Sequence, residues 1–206
     1  MSTVQGRLSL RLEVARKALH LVFVVVPVSY AFGLPQRLLV TALGAAALAA
    51  VVIELARAWH TPTRERFARW VGMLLREHEY TRWSGATWMV LSMLGLAALV
   101  PRDVAIAAMW AISAGDAAAA LVGRAFDRRA AEARERTGRK TLRGSAACFV
   151  VTLAGALVLA RLSPVESLVA AALATAAERP GGWVDDNVRI AVVVAVGILL
   201  WHMVFS

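Results

Sequence analysis

Apolar residues in this chain come in long blocks, and the polar residues fall between the blocks rather than alternating within them. Period-two alternation, the mark of a half-buried strand, is absent. A helix that crosses a bilayer needs about 20 mostly apolar residues. Seven stretches meet or approach that length: Ala18–Leu34, Leu38–Leu55, Trp83–Val100, Val104–Gly123, Gly144–Ala160, Leu162–Ala177 and Ile190–Phe205. The sixth is the weakest, being short and carrying Ser163 and Pro164 at its start, where a missing N–H costs little. The pattern predicts an all-α, polytopic membrane helix bundle of about seven transmembrane helices. Residues 1–206 form a single integral membrane domain.

Two of the intervening segments have character. Within 58–82, Thr61 and Pro62 form a helix start, and Phe67, Trp70, Val71, Leu74 and Leu75 recur at helical spacing. Arg64, Glu65, Arg69 and Arg76 occupy the rest of that helix, a pattern that fits an amphipathic helix in the bilayer interface or one packed on the spans. Segment 124–143 is polar and strongly basic, and reads as a loop.

Charge fixes the expected orientation. Of the 23 basic residues, only Arg37, Arg102 and Arg161 fall on the side opposite the N-terminus. Cytoplasmic loops carry the Lys and Arg excess, so the N-terminus is expected in the cytoplasm of a multi-pass protein of the cell (inner) membrane. No small-residue cleavage site follows the first apolar run, and no cleavable signal peptide is expected.

Composition agrees. Hydrophobic residues make up 59% of the chain and charged residues 18%, with mean hydropathy +0.63. Those values exclude a disordered or fibrous chain. A net charge of +9 would suggest nucleic acid in a soluble protein, but here the basic residues sit between apolar runs, and no nucleic-acid partner is expected. The single cysteine, Cys148, excludes an internal disulfide.

Ionisable residues in or beside spans are costly and mark pathways or sites. Here they collect on the cytoplasmic side. His20 lies one turn after Arg16 and Lys17, so the three can share a face. Glu54 and Arg57 end the second span. Glu79 and Ser84 precede the third. Asp116 follows Gly115 inside the fourth, about two turns before Gly123 and Arg124. Lys140, Thr141, Gly144 and Ser145 open the fifth, Glu178 closes the sixth, and Asp186 and Asn187 introduce the seventh. Carboxylates with Lys and Arg at one membrane face suit an anionic, phosphorylated ligand bound with a divalent cation such as Mg²⁺. Each residue also has a plainer role available: membrane anchoring for Arg16 and Lys17, a salt bridge to Arg57 for Glu54, a helix cap for Asp186 and Asn187. Asp116 is the hardest to assign to such a role. The chain contains no P-loop, HExxH, GxSxG or GxGxxG motif.

The ordered set carries a resemblance. Arg16-Lys17-x-x-His20 is followed by Glu54, by Glu79 and Ser84-Gly85-Ala86, and by Gly115-Asp116-x-x-Ala119-x-x-x-Gly123-Arg124. Lys140-Thr141-x-x-Gly144-Ser145, Glu178 and Asp186-Asn187 complete it. From about Arg11 onward the chain resembles the dolichol kinase, phytol kinase and CTP-dependent diacylglycerol kinase family, which is distantly similar to phosphatidate cytidylyltransferases. One departure is Phe126-Asp127-Arg128-Arg129, where family members often have a glycine.

The resemblance implies an integral membrane lipid kinase that moves the γ-phosphate of CTP to a lipid alcohol with Mg²⁺. It implies Asp116, Arg16 and Lys17 as active residues, with His20 or an acid accepting the alcohol proton. Gly115, Gly123, Arg124, Lys140, Thr141, Gly144, Ser145 and Asn187 would serve the nucleotide. Asp116, Asp186 and Glu178 would serve the metal, and Glu54, Glu79 and Ser84 would complete the pocket. Two other readings stand beside it: a cytidylyltransferase that passes CMP to a lipid phosphate, and a small transporter using Asp116 as its intramembrane charge. The lipid alcohol and the oligomeric state are open, a homo-oligomer included.

Overall fold

The computed structural model describes residues 16–71, 82–126, 141–179 and 184–205. The regular elements among them are all helical. Helical residues 16–22 form α1, followed by α2 (Val25–Ala31), α3 (Gln36–Trp59), α4 (Thr61–Val71), α5 (Gly85–Leu99) and α6 (Arg102–Trp110). A π turn, Ala111–Gly115, joins α6 to α7 (Asp116–Ala125). Then come α8 (Leu142–Val158), α9 (Pro164–Glu178) and α10 (Asp186–Phe205).

Three helical runs are long and apolar enough to cross a membrane: α3, the run Arg102–Ala125 and α10. Helices α5 and α8 are apolar and shorter. Within their apolar windows, Arg102–Ala125 is 83% buried while α3 and α10 are 22% and 28% buried. The run Arg102–Ala125 is therefore the axis of the bundle, and α3 and α10 lie at its outside. Their exposed side chains include Leu48, Val52, Val192, Val196 and Leu200. In water so much exposed apolar surface would mark a binding or aggregation surface; against lipid it is the expected exterior.

Small residues let the neighbours reach the axis. Ala105, Ala107, Ala108, Ala111, Ala117 and Ala119 are all buried. On α8, a Cβ at Gly144 would lie 2.5 Å from the Ala119 carbonyl oxygen, and one at Gly155 would lie 2.2 Å from the Trp110 ring. Trp110 donates its indole N–H to the Val151 carbonyl at 2.8 Å, so the ring is pinned where it fills the notch left by Gly155. Without a strong hydrophobic drive between helices in lipid, such close van der Waals packing carries the association.

Helix ends follow from local chemistry. Ser84 and Thr141 cap α5 and α8 with their hydroxyls. Ser163 and Glu166 form a reciprocal capping box ahead of Pro164. The expected first span, Ala18–Leu34, is divided at Phe23 and Val24. Pro27 has no N–H for the Phe23 carbonyl, which instead accepts from Val26 at 3.0 Å. Helix α9, with 15 residues, reaches only about 22 Å at 1.5 Å per residue.

The expected loop boundaries shift. Arg124 belongs to α7 and Arg143 to α8, so the basic connection is shorter than 124–143. Residues 127–140, with Lys140, and residues 72–81, with Leu74, Leu75 and Glu79, lie outside the described residues.

Contacts at helix ends set the bundle's polarity. At one end Lys17 meets Asp116, Glu54 meets Ser84, and Asn187 meets Gly85. At the other, Gln36 donates to the Ala97 carbonyl at 2.8 Å, Arg102 to the Tyr30 carbonyl, and His202 meets Glu166 at 2.7 Å. Arg102 and Glu166 are thus ties between helices.

Candidate functional site

A cavity of about 250 Å³ opens at the first of these ends, among α1, α3, α4, α5, α7 and α10. Its polar lining comes from Arg16, Lys17, His20, Glu54, Ser84, Thr87, Asp116, Asp185, Asp186 and Asn187. Leu19, Phe23, Ala50, Ile53 and Phe67 supply apolar lining. The cavity thus offers charged groups and hydrocarbon surface together.

Asp116 is placed by the π turn directly before it. Turns of this kind put one extra residue into a helix and recur at functional sites. Gly115 belongs to that turn, and a Cβ there would lie 2.6 Å from the Thr152 hydroxyl of α8. Asp116 is 4% exposed, as is Lys17, and the Lys17 ammonium donates to its Oδ2. A buried charge without a partner is strongly destabilising, so this pair holds α1 against the axis. It also joins a cation and an anion at the cavity wall, where each could instead engage a phosphate or a metal.

Glu54 is equally buried but fully occupied. Its Oε1 accepts from the Ser84 backbone N–H at 2.8 Å and from the Thr87 hydroxyl at 2.9 Å. Its Oε2 pairs with Arg57 at 3.0 Å. Arg57 in turn donates to the Arg82 carbonyl at 3.0 Å and lies over the Phe67 ring at 4.6 Å. This knot fastens α3, α4 and the start of α5 around the cavity mouth. Glu54 therefore positions the wall.

On α10, Asp185 supplies the cap: its Oδ1 accepts from the Asn187 N–H at 2.9 Å. Asp186 pairs with Arg189, and Arg189 also donates to the Ala177 carbonyl at 2.6 Å. Asn187 donates its side-chain amide to the Gly85 carbonyl at 3.1 Å. Its Oδ1 is buried without a hydrogen-bond partner among the described residues. An orphaned acceptor at a cavity wall is a ready site for a ligand donor.

The expected nucleotide residues on α8 lie elsewhere. Thr141 caps α8, accepting from Gly144 N at 3.1 Å, and Gly144 admits α8 to the Ala119 backbone. Gly115, Gly123, Arg124, Ser145 and Glu178 do not line this cavity. Glu178 is 2% exposed, and it and Asp116 are both within electrostatic reach of the Cys148 thiol. The apolar lining carries little sequence signal, because Ala50 and Ile53 read as ordinary span residues. The α4 periodicity around Phe67 was its one sequence signal.

Divalent-cation binding depends on the supply of oxygen ligands. No group of three or more His, Cys, Asp or Glu side chains is gathered among the described residues. Asp116 and Asp186 line the same cavity, and Mg²⁺ commonly takes one or two carboxylates with phosphate oxygens and waters. The site fits a cation that arrives with a phosphate ligand and does not fit an all-protein cage. In comparisons with protein-family models, curated proteins and solved structures, nothing matches this chain.

Proposed function

We propose that the chain is a multi-pass membrane lipid kinase that transfers the γ-phosphate of CTP to the hydroxyl of a lipid alcohol. Seven membrane passes, α1 and α2 together counting as the first, would leave the N-terminus and the cavity facing the cytoplasm. The observation that carries this reading is the mixed lining of the cavity. Arg16, Lys17, His20, Asp116 and Asp186 line it together with Leu19, Phe23, Ile53 and Phe67. A lipid alcohol brings the same two chemistries. The CTP preference and the Mg²⁺ requirement rest on the family resemblance.

Phosphoryl transfer is mainly positioning and charge neutralisation. Arg16 and Lys17 would grip phosphate oxygens where charge develops. Asp116 and Asp186 would hold Mg²⁺, which when bound offsets triphosphate charge. The lipid oxygen forms a bond to the γ-phosphorus, the bond from that phosphorus to the bridging oxygen breaks, and CDP leaves. The alcohol proton would pass to His20 or to an acidic residue of the cavity lining. The lipid chain would lie against the apolar lining residues.

The test is purified protein in nanodiscs with Mg²⁺, a panel of lipid alcohols and phosphatidate. Parallel reactions carry CTP labelled at the γ- or the α-phosphate, with an ATP control. Label from the γ-position in a lipid monophosphate is expected. Label from the α-position makes the protein a cytidylyltransferase, and transfer of neither from folded protein removes the kinase reading.

A further inference from the structure

Helix α4 stands apart from the rest of the bundle in its chemistry. It begins two residues after Trp59, the last residue of a helix long and apolar enough to cross a membrane, and Trp59 is 84% exposed. An exposed Trp at the end of an apolar helix sits at headgroup level. The direct connection through His60 therefore keeps α4 within reach of the headgroups.

The two sides of α4 differ. Phe67 turns inward, lining the cavity beneath the Arg57 guanidinium. Arg64, Arg66 and Arg69 are exposed, and Glu65 is the single acid in the helix. At about 100° per residue, Arg66 and Arg69 project from the far half of the helix relative to Phe67. The exposed side is thus basic, at headgroup depth, on a helix whose other side forms part of the cavity wall.

We infer that the outward side of α4 is a docking surface for anionic phospholipid headgroups of the leaflet. Guanidinium groups pair with phosphate through two parallel N–H donors, and an anionic leaflet attracts juxtamembrane arginines in an additive way. Docking there presses α4 toward the bundle and seats Phe67 in the cavity wall. This inference rests on the membrane reading of α3 and is independent of the kinase reading.

Amide hydrogen exchange of the full chain tests it, with no nucleotide present. Nanodiscs of phosphatidylcholine alone are compared with nanodiscs containing added phosphatidylglycerol. Exchange in Thr61–Val71 is expected to slow roughly tenfold or more in the anionic discs, while Gly85–Leu99 is unchanged. High salt in the wild type, and the triple change R64Q/R66Q/R69Q, should each remove the difference. Equal α4 exchange in the two kinds of disc overturns the inference. So does a slowing that survives both high salt and the triple change.

Discussion

The ammonium of Lys17 closes on the carboxylate of Asp116 across 99 residues of sequence, with both side chains 5% exposed. Removing one partner from a buried pair leaves the other charge uncompensated, at about 3–5 kcal/mol. Lys17→Met and Asp116→Leu should each lower stability by that amount, read by thermal unfolding in detergent. The double variant Lys17→Met/Asp116→Leu should recover most of the loss, because an apolar pair can replace a buried ion pair at little cost. It should have no transferase activity. A double variant as unstable as the two single losses combined would show that the charges do not depend on each other.

Glu54→Gln tests the knot at the cavity mouth. The amide keeps an acceptor for Ser84 and Thr87 but loses the charge that faces Arg57. Charge-assisted hydrogen bonds contribute about 1.5–3 kcal/mol, and a loss in that range is expected in thermal unfolding. Because Arg57 also holds Phe67 and the Arg82 carbonyl, proteolysis after Arg64 or Arg66 should accelerate.

How far the site could be read from the chain depends on what kind of residue forms it. Arg16, Lys17, His20, Glu54, Ser84, Asp116, Asp186 and Asn187 share one cavity, and each breaks or borders an apolar run. Apolar runs force such residues to the helix ends, so linear spacing already places them at one level. Spacing does not give the direction a helix faces. Thr141, Gly144 and Ser145 lie at the same end of the bundle, but none of them lines the cavity; Thr141 caps α8 and Gly144 admits it to the Ala119 backbone. Ala50 and Ile53 were invisible as site residues for the converse reason: in a chain rich in apolar residues, those lining a cavity look like those facing lipid. The all-helical fold was legible throughout, and the break at Phe23 followed from Pro27 once the helix was in view.

Ala50→Trp tests the apolar lining. Ala50 is half-buried on α3 and faces the cavity, so a Trp there fills hydrocarbon space. Under the kinase reading the KM for the lipid alcohol should rise about tenfold or more while the KM for CTP stays near its wild-type value, a loss of uniform binding of one substrate. Unfolding should shift by no more than about 1 kcal/mol, since the cavity takes the added volume. Equal rises in both KM values would place the lipid elsewhere.

Gly155→Ala tests the axis. The new Cβ would meet Trp110 at 2.2 Å, and the indole is held by Val151. Overpacking of this kind costs about 1–3 kcal/mol. Thermal unfolding should report that loss, and the second change Trp110→Leu should reverse part of it by vacating the notch.

The π turn at Ala111–Gly115 acts as a phase setting for everything downstream of it. An α-helix advances about 100° per residue, so one extra residue carried in even α geometry would turn the following segment by nearly a third of a revolution. The wider π turn absorbs that residue and leaves the Asp116 carboxylate on Lys17. At this point the chain's length matters as much as its composition: a one-residue change in the even helix on either side, which no π turn absorbs, would rotate Asp116 off Lys17 and disconnect α1 from the axis while keeping every apolar block.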